Sequence, residues 1–466
     1  MILAQDKVGN HPSFLERVRR SIWRDPLPDT EHGRARQVLE DLILHLHATR
    51  VPVRALKLTY SFGLGGLAIL FFLVLVFTGV LLLFVYTATP EDAYASIQSL
   101  ESEIWMGQLV RNLHHWSGNA LLIVAFLHML RVFYTGAFHT PREFNWLLGL
   151  SLLLLAALSN FTGYLLPWDQ LAYWATTIVT GMIGYIPEIG EGIKQWLLGG
   201  PEVGGPTLRT FFAFHIVVFP LLMAIIISYH IWRVRKDSFS LPRALDEPPV
   251  DRRTLERVTT IPHLINLELA VGLLVLALLI AWATWVDAPL EPAANPSHPP
   301  NPAKAAWYFM GFQELLLHFH PLIVTLAIPG LAAAALILLP YWDRRAHDPD
   351  VEGIWFRSRR GRRLAALNAV LGVVLTTALV IVDEFWLDLP GLLDFLPELV
   401  SNGVLPLGAI VLGLIGYYWV LGRRGATTSE RHLALFTLLV VAFITLTAIG
   451  VFCRGENMKL MFPWKV

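Results

Sequence analysis

Four histidines lie on two apolar segments at nearly matched spacing. His114 and His128 are fourteen residues apart, and His215 and His230 are fifteen apart. Because a helix rises about 1.5 Å per residue, fourteen residues span about 21 Å and nearly four turns, so both members of a pair face almost the same way. Neutral imidazole is a standard ligand of haem iron, and a histidine inside hydrocarbon is costly enough to indicate a function. Two such helices side by side predict two bis-histidine haem sites, one near each side of a membrane.

Glycines repeat the interval of fourteen residues on two other apolar segments, as Gly65 with Gly79 and Gly149 with Gly163. A glycine has no side chain, so it leaves room for the flat face of a cofactor. Any one of the four histidines, taken singly, could instead be a packed and hydrogen-bonded core residue, but two matched pairs favour the haem interpretation. His115 points about 100° away from the histidine before it and is not expected to be a ligand.

The composition is that of a membrane protein. Of the 466 residues, 55% are hydrophobic and 15% are charged, and the mean hydropathy is +0.54, far from the average of soluble proteins. Nine apolar runs have roughly the twenty residues that cross a hydrocarbon core of about 30 Å. We therefore predict an all-α, polytopic transmembrane helix bundle of about nine spans with a four-helix di-haem core. The predicted spans are about 60–86, 113–134, 146–166, 211–232, 264–286, 321–341, 364–382, 403–421 and 432–453.

The basic residues are distributed unevenly between the loops. With nine spans and the N-terminus inside, the inner segments hold 29 of the 36 Lys and Arg residues, and the outer segments hold seven. The positive-inside rule then places the N-terminus in the cytoplasm and the C-terminus outside, which fits a multi-pass protein of a bacterial inner membrane. The basic residues are spread over five separate loops, which argues against a nucleic-acid partner.

The chain divides into four parts on this reading. The outer loop at about 167–210 contains apolar stretches that are too short to span, so we expect surface helices there. The proline-dense segment 289–302 excludes a long helix, which can restart near Ala303. The four parts are a cytoplasmic lead at 1–58 with an amphipathic helix at 13–24, a di-haem core at 59–236, a block at 237–345 holding spans five and six, and a C-terminal extension at 346–466 with spans seven to nine.

Three segments resemble cytochrome b of the quinol:cytochrome c and quinol:plastocyanin oxidoreductases. They are HHWSGNALLIVAFLHMLRVFYTGAFHTPRE, FTGYLLPWDQLAYWATTIVTG and LRTFFAFHIVVFPLLMAIIISYHIWRVRK. The resemblance covers about 15–345, with the two halves fused in one chain, and the gap of fifteen residues is similar to the photosynthetic or Gram-positive branch. It implies that His114 and His215 hold the outer, low-potential haem. It implies that His128 and His230 hold the inner, high-potential haem.

The resemblance also implies the cofactors, the partners and the reaction. The chain would be the electron-transfer subunit of a quinol-oxidising complex that moves protons, with quinol oxidised outside and quinone reduced inside. Its haems would be two non-covalent b-type groups, because the chain lacks a Cys-x-x-Cys-His motif. Its partners would be a Rieske iron–sulfur protein, a c-type cytochrome, membrane lipid and a second copy of the core.

Three arginines at the predicted helix ends are candidates for pairing with haem propionates. Arg111 and Arg209 lie on the outer side, where basic residues are scarce, three and six residues before the first histidine of each pair. Arg131 lies on the inner side, three residues after the second histidine of its helix. Anchoring by the positive-inside rule explains Arg131 equally simply.

The outer quinol site in such proteins lies between the surface helix after the third span and the start of the sixth span. Here Tyr164, the stretch 176–186, Trp307 and Tyr308 would line it. Trp307 and Tyr308 are equally plausible as aromatic residues of the membrane interface.

The family's proton-accepting glutamate is missing from this site. The family motif Pro-Glu-Trp-Tyr reads Ala305-Ala306-Trp307-Tyr308 here. Glu314, which lies further along the same predicted helix, is our candidate for the proton-accepting group. An apolar setting is expected to raise its affinity for protons. A structural glutamate is the alternative reading, and His318, His320 or water are the alternative acceptors.

Two rival functions stay open at this point. The first is the di-haem membrane anchor of a formate dehydrogenase, hydrogenase or nitrate reductase, although the GYLLPWDQ segment and the long outer loop argue against it. The second is a transporter or structural membrane subunit without redox activity. A reduced-minus-oxidised optical spectrum separates the second rival from a cytochrome.

Overall fold

The computed structural model describes residues 13–22, 48, 50–342 and 352–465, and it is built almost entirely of helices. In chain order the helices are α1 (Phe14–Ile22), α2 (Leu58–Ser61), α3 (Leu64–Leu83), α4 (Ala93–Ser102), α5 (Gly107–Tyr134), α6 (Glu143–Leu165), α7 (Gln170–Ile183), α8 (Gly190–Leu198), α9 (Gly205–Asp237), α10 (Ile265–Trp285), α11 (Met310–His318), α12 (Ile323–Trp342), α13 (Arg359–Phe385), α14 (Leu389–Leu392), α15 (Val400–Arg423) and α16 (Thr428–Phe452). Short 3-10 turns occupy Val53–Leu56, Trp307–Phe309, Glu456–Met458 and Pro463–Lys465.

Nine of the helices in the described part of the chain are long and apolar enough to cross a membrane, which confirms the predicted fold class and number of spans. The sequence of α3, LGGLAILFFLVLVFTGVLLL, contains no charged residue, so it is apolar on every side. Such a helix is stable where its neighbours and lipid cover it on all sides. The nine are α3, α5, α6, α9, α10, α12, α13, α15 and α16.

The first four spanning helices form a bundle, and α10 packs against it. Their shared core contains Phe71 and Phe72 of α3, Leu121 of α5, Ala156 of α6 and Met223 of α9. These side chains lie at the middle of the bundle, between the outer and the inner pair of histidines. An apolar layer therefore separates the two predicted haem sites.

The face that the sequence predicts to lie outside, called the outer face below, carries the predicted surface helices between the third and fourth spans. Asp169 caps the N-terminus of α7 by accepting a hydrogen bond from the Ala172 amide at 2.8 Å. After the proline-rich segment the chain becomes helical at Trp307, which corrects the predicted restart near Ala303. The reason is local, because Ala306 is extended, with φ −56° and ψ 144°.

At the opposite face, called the inner face below, two short strands form a small antiparallel sheet. They are Arg50–Pro52 and Arg257–Thr259, and Val51 lies opposite Val258. Helix α1 lies within the segment 13–24, where the sequence predicts an amphipathic helix, and it rests on the end of α12. Arg17 donates a hydrogen bond to the Tyr341 carbonyl at 2.8 Å. The rest of the predicted cytoplasmic lead, 1–12 and 23–47, lies outside the described residues.

The C-terminal extension adds α13, α15 and α16 beside the bundle. Helices α13 and α16 pack closely, because a Cβ at Gly372 would lie only 3.0 Å from the Leu438 carbonyl oxygen. The N-terminus of α16 is held by a capping box, in which Thr427 and Glu430 satisfy each other's backbone amides. The outer end of α16 reaches α11, the short helix that precedes the sixth span.

Candidate functional site

The four histidines meet in two pairs between α5 and α9. The ring centroids of His114 and His215 lie 6.0 Å apart, and those of His128 and His230 lie 6.5 Å apart. An imidazole nitrogen binds a metal at about 2.0 Å, so two imidazoles on opposite sides of one iron have their ring centres about 6 Å apart. Both pairs therefore fit axial ligation of a haem iron.

A π turn accounts for the longer gap on the fourth span. Fifteen residues of regular α-helix would rotate about 60° past four turns, which would turn His215 and His230 apart. His215 lies in a π turn at Phe214–Val218, just before Pro220. Proline lacks an amide hydrogen and its ring crowds the carbonyl four residues earlier, which favours such a widened turn. The turn takes up one residue and returns the two histidines to the same face.

Each of the four predicted glycines lies against one histidine. A Cβ at Gly163 would lie 2.4 Å from His215 Cε1, and a Cβ at Gly79 would lie 3.3 Å from His114 Cε1. At the inner pair the corresponding distance is 3.6 Å, from Gly65 to His128 and from Gly149 to His230. Glycine is therefore required for space most strictly at Gly163 and less so at Gly79, whereas at Gly65 and Gly149 a Cβ would make ordinary van der Waals contact with the imidazole.

At the outer pair of histidines, the Nδ1 atoms have the hydrogen-bond partners that metal-bound histidines require. The Nδ1 of His215 donates to the Ser159 carbonyl oxygen at 2.8 Å. Thr78 Oγ1 gives its hydrogen to the Val74 carbonyl and lies 2.9 Å from His114 Nδ1, which donates to it. Such bonds leave Nε2 of each outer histidine available for iron. His128 Nδ1 is buried with no hydrogen-bond partner among the described residues.

The three arginines have different surroundings. Arg111 is buried, pairs with Glu101, and donates to the carbonyl oxygens of Ala288 and Pro289 at 2.8 and 2.7 Å. Its guanidinium therefore binds the outer loop. Arg131 donates to the Tyr60 carbonyl, and its guanidinium lies over the aromatic ring of Tyr60. Arg209 is exposed at the outer end of α9.

A cavity of about 200 Å³ lies where the resemblance places quinol oxidation. One wall is α7, from Ile178 to Ile183. The opposite wall contains Phe309, Phe312 and Gln313 with the first turns of α12, and the lining is almost wholly apolar. The predicted surface helix therefore does line a cavity that suits the apolar ring of a quinol.

The aromatic residues predicted for this site lie beside the cavity rather than in its lining. Trp307 Nε1 donates to Asn119 Oδ1 at 2.7 Å, and Asn119 in turn donates to His115. Tyr308 packs against the core of the four-helix bundle. Burial, and to a smaller degree the nearby Tyr164, raises the pKa of Tyr308, so these two tyrosines lie close together on the haem side of the wall.

Glu314 differs from the prediction in both placement and charge. It lies on the short helix α11, it is completely buried, and it does not line the cavity. Arg454 donates to its two carboxylate oxygens at 2.6 and 3.0 Å. Burial raises the pKa of Glu314, but hydrogen bonds and charge from His318 and Arg454 bring it below its ordinary value. The expected raised affinity for protons is therefore wrong.

Arg454 is the residue at this site that sequence reasoning missed. It follows the last span, 140 positions from Glu314, and its side chain is 1% exposed. The available signal was the scarcity of basic residues outside, since Arg454 is one of seven there. No local pattern connects it with α11.

Comparisons with known proteins agree with this arrangement. The sequence model of the family described as cytochrome b/b6/petB matches residues 51–238. Cytochrome b6 of Heliobacterium mobile is 41% identical over 206 residues, which are 44% of this chain and 94% of that protein. The cytochrome bc complex cytochrome b subunit of Chlorobaculum thiosulfatiphilum is 33% identical over 321 residues, 67% of this chain and 72% of that protein.

The fold is also similar to that of a chain in a solved hyperthermophilic respiratory Complex III. The TM-score is 0.60 and the identity is 22%, and the match covers 91% of this chain and 96% of the other. The similarity extends over most of the described helices. That similarity concerns the fold alone. The sequence relatives and the family match show that this chain belongs to the cytochrome b/b6 family, as a cytochrome b of the bc type.

Proposed function

We propose that this cytochrome b carries electrons across the membrane between an outer quinol site and an inner quinone site through two b haems. The observation that carries the proposal is the pair of facing imidazoles near each end of the bundle, at 6.0 and 6.5 Å. The outer haem would lie between His114 and His215, and the inner haem between His128 and His230. Their glycine neighbours and the hydrogen bonds at Nδ1 support the same assignment.

Bound haem would supply one-electron oxidation and reduction, and the protein would supply its position and surroundings. The imidazoles of His114 and His215 would hold one haem between α5 and α9, and those of His128 and His230 would hold the other. The apolar layer with Phe71, Leu121 and Met223 excludes water between the two sites. Arg131 and Arg209 are the remaining proposals for pairing with haem propionates, since the guanidinium of Arg111 is engaged by the outer loop.

The cavity between α7 and α11 would take the quinol. Its apolar lining suits a hydrophobic ring and tail, and its wall ends beside Tyr308 and Tyr164 on the side of the outer histidine pair. One electron would go to a Rieske iron–sulfur partner outside and the other would cross the membrane inside this chain. The Chlorobaculum relative, which is named as a subunit of a cytochrome bc complex, supports such an assembly. We propose a c-type cytochrome and a second copy of the core as the further partners.

The haem content tests this function directly. We expect two non-covalent b haems per chain in a pyridine haemochrome assay of the purified protein. Adding quinol to membranes that contain the whole complex is expected to reduce these haems. One haem per chain, or none, would contradict the assignment of the two histidine pairs.

The distribution of basic residues predicts the orientation in a bacterial inner membrane. A reporter fused after Val466 is expected to report from outside the cytoplasm, whereas the same reporter inserted in the loop at 423–431 is expected to report from inside. Alkaline phosphatase and green fluorescent protein fusions measure the two locations. A cytoplasmic signal from the C-terminal fusion would overturn the predicted orientation.

A further inference from the structure

A buried charge network lies at the outer end of the C-terminal extension, and its centre is Arg454. Besides its two bonds to Glu314, the guanidinium donates to Glu384 Oε2 at 2.8 Å and to the Met458 carbonyl at 2.9 Å. Glu314 belongs to α11 and Glu384 to α13, and Arg454 follows α16. One side chain thus joins the outer ends of three helices.

His318 adds a second connection between the same helices. Its Nδ1 lies 2.6 Å from Asp383 Oδ2 on α13, and its Nε2 lies 3.4 Å from Glu314 Oε1. Burial lowers the pKa of His318, but the hydrogen bonds to Glu314 and Asp383 bring it above its ordinary value. His318 thus links α11 to α13 through two carboxylates, beside Arg454, whose Nη2 lies 3.4 Å from His318 Nε2.

The backbones of α11 and α16 approach each other closely beside this network. A Cβ at Gly311 would lie 2.7 Å from Thr447 Oγ1, and a Cβ at Gly450 would lie 3.0 Å from Met310 Cε. Lys304, just before α11, donates to the Val451 carbonyl at 3.0 Å. The extension is thus in direct contact with α11 and with the segment before it.

The opposite face of α11 forms the wall of the quinol cavity. Phe312 and Gln313 line the cavity, while Glu314, the next residue, is turned toward the network. Gln313 Oε1 accepts from the Ala305 amide at 2.6 Å, and its Nε2 donates to the Ala303 carbonyl at 2.7 Å. A movement of α11 would therefore also displace the segment 303–305, which these two hydrogen bonds join to Gln313.

We propose that Arg454 is a positioning residue for quinol oxidation, which holds α11 and the segment 303–309 in place through Glu314. The proposal rests on the quinol site of the proposed function. It gives Glu314 the role of a buried anchor in place of a proton acceptor. The C-terminal extension would then help to position the quinol site, because it supplies Arg454, Asp383 and Glu384.

The physical reason is the cost of an unpaired buried charge. Removing one partner of a buried pair leaves the other charge without compensation and is strongly destabilising locally, whereas removing both is much less harmful. Arg454→Met removes the arginine that Glu314 pairs with and leaves only His318, at 3.4 Å, beside the buried carboxylate. Arg454→Met with Glu314→Gln removes both charges of the pair. Arg454→Lys keeps the charge but loses the fork that reaches several acceptors at once.

Hydrogen–deuterium exchange of the haem-loaded complex tests the positioning itself. We expect faster exchange in peptides covering 303–318 for Arg454→Met, a smaller increase for Arg454→Lys, and partial recovery in the double variant. The matched control is Arg357→Met. Arg357 is an equally buried arginine of the extension at its inner end, where it donates to the Phe133 carbonyl. This control is expected to leave exchange in 303–318 unchanged.

Quinol kinetics of the same variants test the consequence for the reaction. A displacement of about 1 Å at a reactive site can lower the rate about 100-fold. We expect Arg454→Met to lower kcat/KM for quinol by about tenfold to 100-fold, mostly through KM, with both haem spectra retained and partial rescue in the double variant.

Three results would overturn the proposal. The first is unchanged exchange in 303–318 for both Arg454 variants. The second is an equal increase in the Arg357 control. The third is a loss of kcat in the double variant, with normal turnover in Arg454→Met, which would return the proton-accepting role to Glu314. A complex without quinol-dependent haem reduction would contradict the proposed function, and the exchange data would still decide the positioning.

Discussion

His230→Leu is expected to remove one of the two haems and to stop electron transfer to the inner side of the membrane. The ring of His230 faces that of His128 at 6.5 Å, and leucine offers no atom that binds iron. The outer pair, His114 with His215, is separated from this position by the apolar layer of the bundle. We therefore expect half of the wild-type haem per chain, with the spectrum of the outer haem retained.

The measurement combines a pyridine haemochrome assay with a reduced-minus-oxidised spectrum and with the rate of quinol oxidation. His128→Leu is expected to give the same spectrum as His230→Leu, because both remove a ligand of the same iron. The matched control is His115→Leu. His115 is a partly buried histidine of α5, the helix that also carries His128, and it forms a hydrogen bond with Asn119. Its replacement is expected to keep both haems. Full haem content in His230→Leu would refute the assignment of the inner pair.

Gly163→Val is expected to eliminate the outer haem. A Cβ at this position would lie 2.4 Å from His215 Cε1 and 2.8 Å from its Nδ1, both well inside van der Waals contact. Since Nδ1 also donates to the Ser159 carbonyl, the imidazole cannot move without losing that bond. The displaced ring would no longer face His114, so the outer iron would lose one axial ligand.

A graded series of glycine substitutions measures this effect. We expect the loss of haem to follow the available space, with Gly163→Ala the most harmful, Gly79→Ala intermediate and Gly65→Ala the mildest, since their Cβ atoms would lie 2.4, 3.3 and 3.6 Å from a histidine ring. Gly181→Ala is the control, because nothing lies within 4 Å of a Cβ there. Equal haem content across the series would show that close packing against the imidazoles is not what these glycines provide.

Local periodicity was sufficient to predict the spans and the approach of each glycine to one of the four histidines. A lipid-crossing helix must be apolar along its length, and an inward face repeats with the helical period, so both leave a signal within a few turns of sequence. The four histidines and four glycines of the predicted sites indeed meet in matched pairs in the structure. The gap of fifteen residues did not show that His215 and His230 lie on the same face of their helix, because this depends on the π turn at Phe214–Val218.

The quinol side depended on the tertiary structure. Sequence spacing placed Glu314 on one helix with Trp307, and the helical segment from Trp307 to His318 agrees with that. The expected apolar setting was wrong, because Arg454 reaches the carboxylate from 140 residues away. Whether the pKa of a buried carboxyl is raised or lowered depends on the charges that tertiary packing places beside it. The helical periodicity of the sequence does not predict those charges. The direction of Glu314 away from the cavity and its ion pair with Arg454 are therefore properties of how α11 packs against α16.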